Sequence, residues 1–245
     1  MKDLFSHRAQ QYASFRPTYP KELYDFILPL TSGRSLAWDC ATGNGQVARD
    51  LAPSFQKVFA TDISAKQIQH AHHVPNIEYA ISPAEKTSFP ESYFDLITVG
   101  QAIHWIDRPS FYREVVRVAK PGAILAVWGY ALLKITPVID ELISDYYVNV
   151  VGPYWDKERK LVDEQYKTIS FPFEEVSNPG FRISFEWSLD ELEGYFGTWS
   201  AVQKYIQVNG VNPVEPLIKK IKPFWETEKK TVNFPVFLRC GIVNK

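Results

Sequence analysis

Two aspartates and a pair of glycines in the first quarter of the chain have the types and spacing for recognising a nucleoside. Residues 36–45 read Leu-Ala-Trp-Asp-Cys-Ala-Thr-Gly-Asn-Gly, an apolar run that ends in Asp39 and opens into small residues. The next apolar run, 58–62, ends in Asp62. Glycine tolerates left-handed backbone and lets a ligand approach the main chain where a side chain would stand. An acid at the end of the second strand is placed to hold the two hydroxyls of a ribose.

Two cofactor classes use such a strand, loop and helix. Gly43-Asn44-Gly45-Gln46-Val47-Ala48 fits the dinucleotide pattern G-x-G-x-x-A, which makes NAD one reading. Asp39 favours the other. A carboxylate repels a pyrophosphate but attracts a cofactor with a cationic amino-acid end. S-adenosylmethionine carries a ribose, an adenine, an ammonium and a sulfonium, and no phosphate. The D-x-A-x-G-x-G pattern therefore selects S-adenosylmethionine as the expected cofactor.

These residues need a scaffold, and strand-like and helix-like patterns alternate from residue 34 onward. Apolar runs at 35–39, 57–61, 76–81, 94–99 and 123–128 read as strands. They are continuous rather than alternating, as strands buried on both faces must be. Helices are expected at 45–52, from the Ser64 cap to about His72, and at 109–119, with Lys120-Pro121-Gly122 as a turn. Residues 182–187 alternate as a strand, 189–207 read as one helix, and 232–242 as a last strand. Pro235 in that strand suits an edge or a bulge. The expected fold class is α/β, a mostly parallel sheet covered on both faces. One domain, 1–245, is expected: lid helices at 1–33, a cofactor-binding core at 34–130, and a cap with C-terminal strands at 131–245.

Composition narrows the partners. The 245 residues include 27 basic and 28 acidic ones, a net charge of −1, so no global basic field asks for nucleic acid. No segment approaches the ~20 apolar residues of a membrane span, and the first residues lack the apolar core of a signal peptide. A cytoplasmic protein acting on a small molecule is expected. Cys40 and Cys240 form no metal or redox motif. His70, His72 and His73 stand at an expected helix end with no carboxylate or cysteine cluster, so no metal is expected. Most of the seven tryptophans lie beyond residue 100, which points to an aromatic pocket built by the later chain.

The chain resembles the class I S-adenosylmethionine-dependent methyltransferases over residues 34–129. Asp39, Ala41, Gly43 and Gly45 match the family's D/E-x-G-x-G-x-G signature, with Ala41 in place of its first glycine. Asp62, in Thr61-Asp62-Ile63-Ser64, matches the ribose-binding acid, and Ile63 goes with it. Pro83-Ala84-Glu85 stands where the family reads the adenine edge, which implies roles for the Ala84 amide and the Glu85 side chain. Gly100-Gln101-Ala102-Ile103-His104-Trp105 matches the loop after strand four, so Gln101 is implied on the methionine side. The resemblance implies a Rossmann-like fold with an antiparallel last strand, an N-terminal helical lid and a helical cap insertion. Tyr12, Arg16-Pro17-Thr18-Tyr19-Pro20, His104-Trp105, Val127-Trp128-Gly129-Tyr130, Gly152-Pro153-Tyr154-Trp155 and Thr198-Trp199 look like the trans-aconitate methyltransferase-like branch. That likeness implies O-methylation of a small carboxylate.

Methyl transfer from a sulfonium is an in-line displacement with the nucleophile about 3 Å from the methyl carbon. A carboxylate acceptor is ionised at pH 7 and needs no base. A phenol or amine acceptor gains from one, and His104 is the candidate. His104 and Trp105 follow strand four, at the carboxyl ends where ligands bind in open α/β folds. Trp105 offers a ring face to the sulfonium charge. Arg16 offers a planar fork to a carboxylate, and Tyr12 and Tyr19 flank it to close over the cofactor. Trp128, Tyr130, Tyr154, Trp155 and Trp199 are the expected acceptor pocket. A non-catalytic protein binding the cofactor, or a partner, through the same fold is the reading from another class. The acceptor's identity and the oligomeric state are not legible.

Overall fold

A computed structural model describes residues 17–244. Arg16 and Tyr12 lie outside the described residues. Eight strands form one sheet: β1 (Leu36–Cys40), β2 (Lys57–Asp62), β3 (Ile77–Ile81), β4 (Phe94–Gly100), β5 (Ala119–Tyr130), β6 (Glu174–Glu175), β7 (Phe181–Trp187) and β8 (Lys230–Val243). Their order is β3-β2-β1-β4-β5-β8-β6, with β7 also paired to β8. The first five are mutually parallel, and β8 runs antiparallel to β5. This is the expected Rossmann-like sheet with an antiparallel last strand. Chain order reverses between β1 and β4, and open α/β sheets bind ligands at that crevice.

Both faces of the sheet are covered, which is why its parallel strands carry continuous apolar runs. Trp38, Ile97, Leu125 and Val127 face Phe111, Val115 and Val118 of α4 (Arg108–Val118). Ala37, Leu96, Ile124 and Ala126 face α1 (Lys21–Ile27) and α2 (Gln46–Leu51), through Leu23, Ile27, Val47 and Leu51. A separate apolar cluster forms the helical cap. It joins α5 (Pro137–Asp145), α7 (Leu189–Gly197), α8 (Ser200–Asn209) and α9 (Val214–Ile221) to Val232, Phe234 and Val236 of β8.

Four local expectations need correction. Lys120-Pro121-Gly122 lies inside β5 rather than before it. Pairing with β4 shifts there, from Phe94–Ala119 to Leu96–Ile124, and Gly122 takes φ +76°. The helix capped by Ser64, whose hydroxyl accepts from the Gln67 amide, is α3 (Ala65–Gln69) and stops short of His72. The stretch 189–207 is two helices, broken at Thr198-Trp199. Finally, β8 is an interior strand, paired to β5 on one side and to β6 and β7 on the other. Pro235 survives there because its carbonyl accepts from Ala131, just past the end of β5. Its missing N–H faces that same side, where the regular ladder has already stopped.

Candidate active site

The cleft opens at the carboxyl ends of β1, β2 and β4, between the sheet and the cap. Its floor is the loop after β1. Ala41, Gly43 and Gly45 are all left-handed there, with φ of 54°, 58° and 81°. A Cβ on Gly45 would stand 2.2 Å from the Tyr79 hydroxyl, so backbone and ring leave no room for a side chain. Ala41 has no such freedom. A left-handed alanine costs roughly 1–2 kcal/mol, and the loop carries that strain.

Asp39 does not line the cleft. It is buried beneath the loop, where the Thr42 hydroxyl and the Ala48 amide (3.1 Å) donate to one oxygen and the Thr98 hydroxyl (2.9 Å) to the other. Burial pushes its pKa up to about 7, against the pull of those donors and with a small push from Asp62. Asp39 therefore ties loop, helix α2 and strand β4 together. Asp62 does line the cleft. The Gly43 and Ser64 amides donate to its two oxygens, each at 2.9 Å, and fix the carboxylate at the rim. Ile63 lies beside it on the same wall.

The opposite wall comes from the loop after β4. Gln101 is left-handed, φ 52°, with its amide donating to the Trp128 carbonyl and its Oε1 accepting from the Tyr130 amide, each at 2.8 Å. This double clasp to β5 aims the following turn, Ile103–Trp105, at the cleft. His104 is buried, and its Nδ1 lies 2.8 Å from the Tyr166 hydroxyl. Burial lowers its pKa to about 3, with Arg159 and Arg108 adding to the effect, so the ring is neutral at pH 7. Trp105 packs on His104 with ring centroids 4.9 Å apart.

The cap closes the third side with Trp155, Trp199 and Tyr195, and with Arg159 of α6 (Arg159–Asp163). Trp155 and Trp199 pack with ring centroids 5.5 Å apart, tilted at 51°. The Arg159 guanidinium lies 4.8 Å from the Trp155 ring centroid. Its Nε donates to the Tyr147 hydroxyl at 2.8 Å and sits 3.4 Å from Asp163. Neither Nη makes a hydrogen bond among the described residues.

The cleft thus brings together Ala41, Gly43, Asp62, Ile63, Gln101, His104, Trp105, Tyr19, Tyr130, Trp155 and Trp199. Others stand elsewhere. Trp128 is fully buried, edge-on to Tyr19 (5.5 Å) and Tyr24 (6.3 Å), and is a core residue beneath the cleft lining rather than a pocket wall. Tyr154 packs at a tilt against Tyr205 and accepts from Asn209 at 2.7 Å. Ala84 is buried in the core, and Glu85 accepts from the Asp107 amide at 3.0 Å, beside a neighbouring opening that also touches His104 and Trp105. His70, His72 and His73 are all exposed.

Sequence reasoning missed Arg159 and Tyr166. Arg159 hides in the run Asp156-Lys157-Glu158-Arg159-Lys160, which reads as a solvated helix face. Lys157 and Lys160 are indeed exposed, while Arg159 turns inward with Asp156. The closeness of the Gly152-Pro153-Tyr154-Trp155 motif was the one available signal.

The donor set fits S-adenosylmethionine. The left-handed loop, with Gly43 lining the cleft and no space for a Cβ at Gly45, forms a cradle, and Asp62 presents a carboxylate at its rim. Among the described residues, no Lys or Arg stands beside Gly43 and Asp62 in the cleft lining.

A model of the family described as "Methyltransferase domain" matches residues 38–127. A Dictyostelium discoideum protein named as a methyltransferase is 36% identical over 246 residues, covering 96% of this chain and 93% of its own. A solved structure of a type II methyltransferase from Anaeromyxobacter dehalogenans superimposes with a TM-score of 0.88 at 34% identity, covering 94% of this chain and 99% of that one. A phosphoethanolamine N-methyltransferase from Haemonchus contortus, solved with S-adenosylhomocysteine, shares the fold alone, at 15% identity and a TM-score of 0.51, covering 98% of this chain and 58% of that one. With the sheet order, the glycine cradle and Asp62 in place, the chain belongs to the class I S-adenosylmethionine-dependent methyltransferases.

Proposed function

We propose that this methyltransferase esterifies a small carboxylic acid. The observation that carries the reading is Arg159, whose two Nη groups make no hydrogen bond among the described residues and which stands in a wall of aromatic rings beside the cofactor cradle. A guanidinium fork suits a carboxylate in geometry and charge. Asp163 pairs with Arg159 at Nε, 3.4 Å away, and not at either Nη, and the nearby Asp156 is occupied by Lys204 at 2.6 Å. An amine acceptor is disfavoured, because Arg159 already supplies positive charge to the rings that would stabilise a cation.

S-adenosylmethionine supplies a sulfonium methyl, and as the ester C–O bond forms, the electron pair of the broken S–C bond stays on sulfur. No proton moves, because the acid is ionised. The protein's share is alignment and exclusion of water. Trp105, Trp155 and Trp199 enclose the acceptor, and Arg159 and His104 hold its oxygens. Arg16 lies outside the described residues and is proposed, from the sequence alone, as a second guanidinium fork for a carboxylate.

The test is turnover with labelled S-adenosylmethionine against matched panels of small acids, phenols and amines. The expected product is a methyl ester, released as labelled methanol by mild base. Transfer to phenols or amines alone overturns the reading. Cofactor binding without turnover on any panel favours a non-catalytic role.

A further inference from the structure

Tyr166, outside the cofactor cradle, is held in a costly placement. It is fully buried, and both it and Gln165 are left-handed, with φ of 57° and 56°. Two consecutive non-glycine residues in that region are costly, at roughly 1–2 kcal/mol each. Such strain persists only where the surroundings over-determine it. Here they do. Arg239 of β8 donates from Nη1 to the Tyr166 carbonyl (3.1 Å) and to the Ile169 carbonyl, while its Nε and Nη2 grip Glu175. The ring stands edge-on to Phe237, centroids 5.0 Å apart. One hydroxyl emerges from this arrangement, and it meets His104 Nδ1 at 2.8 Å.

The direction of that hydrogen bond follows from what else is near. If Nδ1–H donated to the tyrosine oxygen, the phenolic proton would need a second acceptor. The Tyr166 hydroxyl has none among the described residues, and a buried O–H without a partner costs about 1–3 kcal/mol. The consistent arrangement has the tyrosine donating and Nδ1 accepting. A neutral imidazole then carries its proton on Nε2.

We propose that Tyr166 is a positioning residue that fixes His104 as a hydrogen-bond donor, its Nε2–H directed to the methyl acceptor. This rests on the reading of the acceptor as a small acid. In this tautomer His104 holds one oxygen of the acid and leaves the other to attack. The same tautomer removes His104 as a general base, because the nitrogen left for the acceptor already bears a proton. Tyr166 therefore selects against acceptors that must be deprotonated during transfer.

The experiment reads the tautomer directly. Long-range proton–nitrogen NMR of the uniformly nitrogen-15-labelled full chain reports which ring nitrogen of each of the five histidines bears a proton. Comparison with His104→Gln assigns the His104 signals. The expected result is a neutral ring with Nε2 protonated throughout pH 5–8. An Nδ1–H ring, or one that becomes doubly protonated near pH 6.5, overturns the proposal. Tyr166→Phe is expected to produce a mixture of tautomers and to lower kcat on the best acid about tenfold, the worth of one ordinary hydrogen bond, with cofactor affinity unchanged. Unchanged kcat and tautomer in a folded Tyr166→Phe variant also overturn it. If that variant does not fold, the spectrum of the native chain still decides. An Nε2–H ring in a protein that methylates no acid would sink the acceptor reading while leaving the tautomer assignment standing.

Discussion

The Gly43 amide donates to Asp62 Oδ2 at 2.9 Å, so the loop after β1 and the acid ending β2 form one piece. The carboxylate is aimed before any ligand arrives. Its second oxygen is held by the Ser64 amide, and rotation in either direction breaks a bond.

Asp62→Ala is therefore expected to weaken S-adenosylmethionine binding by about 1.5–3 kcal/mol, roughly ten- to a hundredfold, through lost charged hydrogen bonds and a loosened loop. Calorimetric titration measures it. Unchanged affinity would remove Asp62 from the ribose.

Ala41→Gly is expected to raise stability by up to about 1 kcal/mol. It relieves the left-handed alanine and gives back part of the gain as unfolded-chain entropy. Chemical denaturation of the two proteins decides, and a less stable glycine variant would show that the alanine methyl group contributes packing that outweighs its strain.

Asp39 predicts a pH dependence. Its pKa of about 7 in the folded protein lies above the ordinary carboxylate value. Between about pH 4 and pH 7 the unfolded chain has lost this proton while the folded one keeps it. The unfolded state then binds fewer protons, so this residue lowers stability as pH rises through that window, and not beyond it. Asp39→Asn is expected to gain stability relative to the native protein as pH goes from 4 to 7, then to hold a constant difference. A difference that does not change with pH would mean Asp39 is ionised throughout.

His104 predicts the opposite of a pH switch. With its pKa lowered to about 3 by burial, it stays neutral from pH 5 to 8. The rate of acid methylation is expected to show no step near pH 6.5. A step there that disappears in His104→Gln would place a titrating imidazole in the reaction.

Arg159→Ala is expected to raise KM for the acid about ten- to a hundredfold and to leave S-adenosylmethionine affinity unchanged. Arg159→Lys keeps the charge but loses the fork and the flat contact with Trp155, and should recover only part of the loss. Steady-state kinetics with each substrate varied in turn separates the two sites. An effect on the cofactor alone would move Arg159 out of the acceptor pocket.

The cofactor half of the site was legible because its chemistry is local. Gly43, Gly45 and Asp62 follow or end apolar runs that can only be buried strands, and the φ values at the glycines are ones that favour glycine. Asp39 ends such a run too, but it is buried as a tie between loop, α2 and β4 instead of facing the cofactor's cationic end. The acceptor half was not. Tyr166 reaches His104 across 62 residues of sequence. Arg159 looks like its charged neighbours until the helix is placed. Trp128 was misplaced although the sheet offered a clue. It shares the Ile124 and Ala126 side of β5, and that side is covered by α1.

The last strand has a consequence for how the acceptor is chosen. β8 runs unbroken from Leu238 and Cys240 in the sheet core to Phe234 and Val232 in the cap. One continuous stretch of backbone belongs to both layers, so the described cap behaves as a fixed wall rather than a hinged door. Selectivity among acids is then a matter of what fits a rigid aromatic box, and exchanging Trp155 or Trp199 for smaller rings should widen the range of acids accepted without altering how the cofactor enters.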